Sequence, residues 1–373
     1  MKTETVERLN NFIDETMELN DLPGLAIGVS VGLDEPSVYT EVRGYRDYEA
    51  KVPLLADDIF HCASVSKLFT SSAILKLVEA GILGLYDRLC NVLPDFTPCI
   101  ADWRFDEIRL WNMLTHTSGL ADCLDYEWAD AETDEGSLAR YVYEHHDCIV
   151  QPMLWCPQTC PEFYGVSDDE GNLFRYSNVA YEILGQIVAE YSDRMPDADG
   201  PLSYEDFVAE YLLKPAGMDN STMKTFERSG DCMARPHAKA DDRSIKLLEV
   251  YPYNRKHAPS STLTSNLDDL LMWGRAHMMS ASGRNELLLH RETYDSIWRD
   301  YATVPNNGEK MGLGWFCRKQ KGYTLYGHEG TDDGFRASFW MCPELEMVTV
   351  VLSNLSEAPV KRINKKLFDT IVK

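Results

Sequence analysis

The 373 residues are 44% apolar and 11% aromatic, enough for the core of one large domain or two smaller ones. With 36 Lys and Arg against 60 Asp and Glu, the formal charge is −24, a sign that repels phosphate backbones and anionic lipid and so speaks against nucleic-acid and membrane-surface roles. No uncharged apolar run approaches the roughly 20 residues of a bilayer span, and the start, MKTETVERLNNFIDETMEL, carries no secretory pattern.

In chain order, residues 3–20 read as a charged amphipathic helix ended by Asn20, Asp21, Pro23 and Gly24. Leu25 to Val31 and Ser37 to Arg43 read as a hairpin. From about Ser64, apolar residues at Leu68, Ala73, Ile74, Leu77, Val78 and Ile82 predict an amphipathic helix. Another is expected over Phe105–Leu114. From Ala121 to Asn172 the periodicity fades while acids and aromatics accumulate. That stretch is either a roof over a pocket or a solvated insertion with its own small core. Helices are expected again at Val179–Tyr191, Tyr204–Leu213 and Leu267–Met279, then strands at Gly312–Cys317, Tyr323–Tyr326, Arg336–Cys342 and Met347–Leu355, and a basic helix at Ala358–Val372.

Strands at both ends with helices between predict an α+β fold: an antiparallel sheet built from both termini (about 1–60 and 260–373) and an inserted, mainly helical subdomain (about 61–259), together one catalytic domain. Ten cysteines are scattered rather than spaced as a disulfide framework, as expected of reduced thiols in a cytoplasm. Cys156 and Cys160 lie near His145, His146 and Cys148, but C-x-x-x-C is loose and a second pair is missing, so no metal and no cofactor are expected.

Three serines compete as nucleophile. Gly28-Val29-Ser30-Val31-Gly32 matches G-x-S-x-G, yet that motif needs a strand, a sharp turn and a helix, and here it lies inside a strand. Ser221 and Lys224 form an S-x-x-K in a turn-rich stretch, which shows how little that spacing proves alone. Ser64 and Lys67 have the same spacing at the start of a helix, where one turn brings an amine beside a hydroxyl and free N–H groups face any developing negative charge. Tyr176-Ser177-Asn178 precedes a helix and, if extended, projects Tyr176 and Asn178 to one side. Gly327-His328-Glu329-Gly330-Thr331 is expected at a strand end, with glycines that admit close backbone approach. His116 reads as a turn-stabilising histidine.

With these motifs, the segments Asp21–Ala26, Phe60–Asp87, Leu114–Leu120, Tyr176–Tyr181, Lys214–Met218, Gly312–Trp315 and Gly327–Gly330 make the chain resemble the serine β-lactamase and penicillin-binding-protein superfamily, in its class C-like branch of esterases and D-peptidases. The resemblance implies a β-lactamase/transpeptidase-like fold with a cleft between sheet and helical part. It implies Ser64 as acylated nucleophile, Lys67 as its base and Tyr176 as proton shuttle to the leaving group. Asn178, His328, Gly330 and Thr331 would contact substrate, with the Ser64 and Thr331 N–H groups as oxyanion donors. His328 stands where class C β-lactamases carry a lysine. As a hydrogen-bond donor without fixed charge, and with Glu329 adding negative charge beside it, it turns the expectation from β-lactams towards esters, small amides or peptides. A true β-lactamase or D-amino-acid-specific peptidase is the alternative, and a retired enzyme serving as peptide binder or scaffold is the reading of another class. The oligomeric state is left open.

Overall fold

The computed structural model describes residues 3–96, 103–123, 125–145, 174–228, 230–305 and 307–372. The strands in chain order are β1 (Gly24–Val31), β2 (Ser37–Asp47), β3 (Val52–Pro53), β4 (Phe60–His61), β5 (His237–Lys239), β6 (Ile245–Leu247), β7 (Thr264–Ser265), β8 (Ala302–Thr303), β9 (Lys310–Met311), β10 (Phe316–Gln320), β11 (Tyr323–Asp332), β12 (Phe335–Cys342) and β13 (Met347–Ser353). Nine of them form one antiparallel sheet in the order β3-β2-β1-β13-β12-β11-β10-β9-β8. The first and last parts of the chain meet where β1 pairs with β13, Leu25 opposite Ser353 and Val31 opposite Met347. The fold is thus the expected mixture of helix and antiparallel sheet.

Both faces of this sheet are covered, which is why β1 reads as a continuous apolar run rather than an alternating one. Leu25, Ile27 and Val29 face the Thr3–Asn20 and Val360–Ile371 helices, in a cluster with Leu9, Ile13, Val351 and Leu367. Ala26, with Val348, Val350 and Leu352 of β13, belongs to the larger core under the Leu267–Ala281 helix. Gly28 admits that helix, since a Cβ there would lie 3.1 Å from Leu271 Cδ1.

The helix expected from Ser64 is a 3-10 turn, Ala63–Val65, leading into an α-helix, Ser66–Glu79. It is not amphipathic. Every residue from Ser66 to Leu75 is buried, because it runs through the centre of the larger core, with Phe69 stacked on Trp273 at 4.0 Å between ring centroids. The expected Phe105–Leu114 helix is broken in two, Trp103–Glu107 and Leu110–Leu114. Its middle is drawn into an isolated bridge between Arg88 and Arg109, where Leu89 N donates to Ile108 O and Leu110 N to Asp87 O. The expected Gly312–Cys317 strand starts only at Phe316. Gly314 sits at φ +84°, and a Cβ on Gly312 would come within 2.0 Å of Ile297 O, so both glycines serve a turn. β11 extends to Asp332, which puts the His328 motif inside a strand rather than at its end. The β5–β6 hairpin had no counterpart in the sequence reading.

Residues 146–173, holding His146, Cys148, Cys156 and Cys160, lie outside the described residues, as does the side chain of His145. Among the described residues no group of His, Cys, Asp and Glu could hold a metal ion, and no helix is long and apolar enough to cross a membrane.

Phe69 and Trp273 are both fully buried and tie the helix after Ser64 to the one above the sheet. Phe69→Ala should lower unfolding free energy by about 3–5 kcal/mol in chemical denaturation, the range for truncating a buried aromatic.

Candidate active site

The turn before the Ser66–Glu79 helix is strained and held from several sides. Ala63 has φ +48°, a left-handed conformation that costs a non-glycine residue about 1–2 kcal/mol. Cys62 N donates to Leu263 O at 2.8 Å and Val65 N to Cys62 O at 3.1 Å. The Ser66 hydroxyl donates to Ala63 O at 2.7 Å and accepts Leu263 N at 2.9 Å. These bonds present Ser64, half-buried, at the mouth of the helix.

One turn on, Lys67 is fully buried, and its ammonium meets three oxygens: Ser64 Oγ at 3.1 Å, Asn178 Oδ1 at 2.6 Å and Ser260 O at 2.9 Å. Its Nζ also lies 4.9 Å from the Tyr176 ring centroid. Burial pushes its pKa down to about 8, against the opposing pull of Glu182, then Asp122, Asp332 and Cys123.

Tyr176 stands in the extended segment before the Asn178–Tyr191 helix, and its hydroxyl shares a hydrogen bond with Ser64. Burial holds the phenol well above its ordinary pKa, so it is neutral and a proton donor. Its ring stacks on His116 at 4.2 Å. His116, at φ +55°, accepts Ser177 N on Nδ1 at 3.2 Å, and burial keeps it uncharged. Ser177 caps the helix through Ala180 N at 3.2 Å. Asn178 is held by Asp122, whose Oδ1 accepts both its backbone N at 2.7 Å and its Nδ2 at 3.0 Å. That fixes the carboxamide with its oxygen towards Lys67.

The opposite wall is β11. A Cβ on Gly330 would sit 2.2 Å from Cys62 O, so the strand lies directly against the Ser64 turn. His328 shares that side of the strand. Its Nδ1 lies 2.6 Å from Glu329 O and must donate, because a carbonyl only accepts. Burial, then the Lys67 charge, push its pKa down to about 3. The imidazole is therefore neutral, and its remaining nitrogen, Nε2, is an acceptor with no partner among the described residues. This corrects the expected donor role. Glu329 and Thr331 alternate to the other face. Glu329 Oε1 accepts Trp340 Nε1 at 2.7 Å, and burial lifts its carboxyl to about 7. Its charge is thus not added to the cleft as expected. The Thr331 side chain is exposed on that outer face, so only its backbone can serve the site.

Ser64, Lys67, Tyr176, Asn178, His328 and Gly330 accordingly converge. The other two serines do not join them. Ser30 is buried in β1, its hydroxyl without a partner among the described residues. Ser221 Oγ bonds Asp269 Oδ2 at 2.7 Å while Lys224 Nζ pairs with Asp206 at 2.7 Å, so this serine and lysine face different partners. Asp122, Ser260 and Glu182 escaped the sequence reading, for they belong to no local pattern. Asp332, at the end of β11, accepts His61 Nε2 at 2.7 Å and links that strand to β4.

A family model described as Beta-lactamase matches residues 9–370. "Protein flp" of Staphylococcus aureus (strain MW2) is 22% identical over 382 residues, spanning 100% of this chain and 68% of that protein. The octameric penicillin-binding protein homologue from Pyrococcus abyssi has a similar structure, with a TM-score of 0.80 at 24% identity, over 98% of this chain and 77% of that one. So has the D-amino acid amidase from Ochrobactrum anthropi SV3, with a TM-score of 0.76 at 18% identity over 99% of each chain.

A methyl group at position 330 would collide with backbone, not with a side chain that can swing away. Gly330→Ala should slow labelling of Ser64 by a serine-directed fluorophosphonate about 10- to 100-fold, the scale of an ångström-sized misplacement. Gly230→Ala, whose methyl meets nothing within 4 Å, should leave the rate unchanged.

Proposed function

The chain belongs to the beta-lactamase family, and on that footing we propose that it is a serine hydrolase forming an acyl-enzyme on Ser64, with small esters, amides or peptides as substrates. The observation that carries the reading is the bonding of the Lys67 amine. Once neutral, it has two N–H donors and one lone pair. Asn178 Oδ1 and Ser260 O can only accept, so they take the two N–H groups, and the lone pair is left for the one neighbour with a proton to give, Ser64. With its pKa down at about 8, the amine is free often enough near neutrality to act as base.

The steps follow. Lys67 accepts the Ser64 proton as Oγ attacks the carbonyl carbon, and the oxyanion faces the N–H groups of Ser64 and Thr331. Tyr176, a neutral phenol bonded to Ser64, gives its proton to the departing alkoxide or amine and recovers one from Lys67. Water then cleaves the ester on Ser64.

Substrate class follows from charge. Among the described residues Glu182, Asp122 and Asp332 act on the Lys67 cation, and neutral His328 adds no positive charge beside it. A substrate carboxylate, which β-lactams carry, would find no fixed positive partner at position 328. Nε2 of His328, buried and without a partner among the described residues, instead suits a substrate N–H that reaches it. That favours, as a second reading, the amide chemistry named for the D-amino acid amidase it resembles in fold.

The test is to mix the protein with an activated ester, a D-amino acid amide, a cephalosporin and a fluorophosphonate, and to locate adducts by mass spectrometry. Labelling is expected on Ser64, abolished by Ser64→Ala and untouched by Ser30→Ala, with ester or amide turned over faster than cephalosporin. The labelling rate should rise about tenfold per pH unit up to about 8, where Lys67 loses its proton, and then level off. An unlabelled Ser64 with no turnover would favour the binding-protein reading.

A further inference from the structure

Glu182 lies one helical turn beyond Asn178, fully buried, and the reaction steps leave it unused. Its Oε1 accepts the Ser260 hydroxyl at 2.5 Å and His257 Nδ1 at 3.1 Å, while its Oε2 has no partner among the described residues. Ser260 is the residue whose carbonyl accepts from Lys67. A continuous buried chain therefore runs Lys67–Ser260–Glu182–His257. The backbone around it cannot easily shift. A Cβ on Gly185 of the same helix would lie 2.0 Å from Pro259 Cγ, and Thr70 Oγ1 donates to Pro259 O at 2.5 Å.

We propose that Glu182 is a positioning residue for Lys67: it fixes Ser260 so that the Ser260 carbonyl caps Nζ, and its carboxylate raises the pH at which Lys67 can take the Ser64 proton. A dry carboxylate with one oxygen unbonded needs a positive charge nearby, and Lys67 supplies it. The coupling is reciprocal, so Glu182 favours the ammonium form of Lys67. It is the strongest of the groups that do so, ahead of Asp122, Asp332 and Cys123.

The groups facing Lys67 can be named element by element. Ser64 comes from its own end of the chain segment; Tyr176, Asn178, Tyr181 and Glu182 from the next helix and its approach; Ser260 from the Ala258–Ser261 turn. His116, Asp122 and Cys123 face it from the loop before them, and His328 and Asp332 from β11. Of these, both histidines are held neutral by burial. Facing Glu182 are Lys67, His257 and the neutral Tyr204 phenol.

The inference rests on the proposed acylation of Ser64, and its test separates the two. The fluorophosphonate labelling rate is measured against pH for wild type, Glu182→Gln, Glu182→Asp and Ser260→Ala. Glu182→Gln keeps the shape and an acceptor for Ser260 but loses the charge, so its acid limb should move about half to one pH unit lower, with a lower plateau from a weaker base. Glu182→Asp should return the limb towards the wild-type position. Should Glu182→Gln not fold, Ser260→Ala unhooks the carboxylate while keeping the carbonyl on Lys67, and the same downward direction is expected. A limb that stays put or rises in folded Glu182→Gln, or in Ser260→Ala where Glu182→Gln does not fold, overturns the proposal, since a merely structural role would lower melting temperature and plateau alone. A wild type unlabelled at every pH overturns the Ser64 reading and this one with it.

Discussion

The structure depends on keeping one ammonium group out of water. A buried lysine without partners would cost several kcal/mol, and Lys67 has three acceptors for its three protons. They come from three elements far apart in sequence: the turn at Ser64, the start of the Asn178–Tyr191 helix, and the turn ending at Ser261. Satisfying the amine therefore requires the assembled helical core, and the core is closely built there. Thr70 bonds both the Tyr204 hydroxyl at 2.7 Å and Pro259 O. Stability and reactivity meet in the same contact.

The second constraint is steric. The Ser64 turn and β11 approach backbone to backbone, Cys62 O against Gly330, with the left-handed Ala63 at the bend. The His61–Asp332 bond closes the same seam three residues before Ser64. A strand that alternates sides then does two jobs. His328 and Gly330 face the turn, while Glu329 anchors the strand's outer face on Trp340, with Arg318 Nη1 3.7 Å away.

What the sequence made legible is what has a local period or a local motif. The Ser64–Lys67 spacing survives because one helical turn fixes it, and the terminal strands because β-branched runs are long there. Tyr176 and Asn178 were readable as neighbours of a helix start. The partners that tune them were not: Asp122 reaches Asn178 across 56 residues and Ser260 reaches Lys67 across 193, with no sequence pattern at such separations. The same blindness explains the broken helix at Arg109, where backbone groups pair with residues 85–89 instead of with each other. His328 shows a finer limit. Its place in the motif was readable, but whether it donates or accepts was decided by the Glu329 carbonyl, a neighbour in sequence whose direction only the strand's conformation sets.

That detail bears on how the site discriminates. A lysine at position 328 would be a second cation facing Lys67, and each would depress the other. His328, kept neutral largely by burial and further by Lys67, avoids the conflict and lets the acids around the amine balance a single charge. The cost falls on carboxylate substrates, which lose a partner. The gain is Nε2, an acceptor unfilled among the described residues, beside the Phe316 and Tyr176 rings, 4.8 and 6.2 Å from the imidazole. In so apolar a wall an unpaired acceptor is worth more to a ligand that can donate to it than it would be at a wet surface, because the alternative is leaving it unsatisfied. On the proposed reading, selectivity for N–H or O–H bearing substrates would follow from burial as much as from the identity of the side chain.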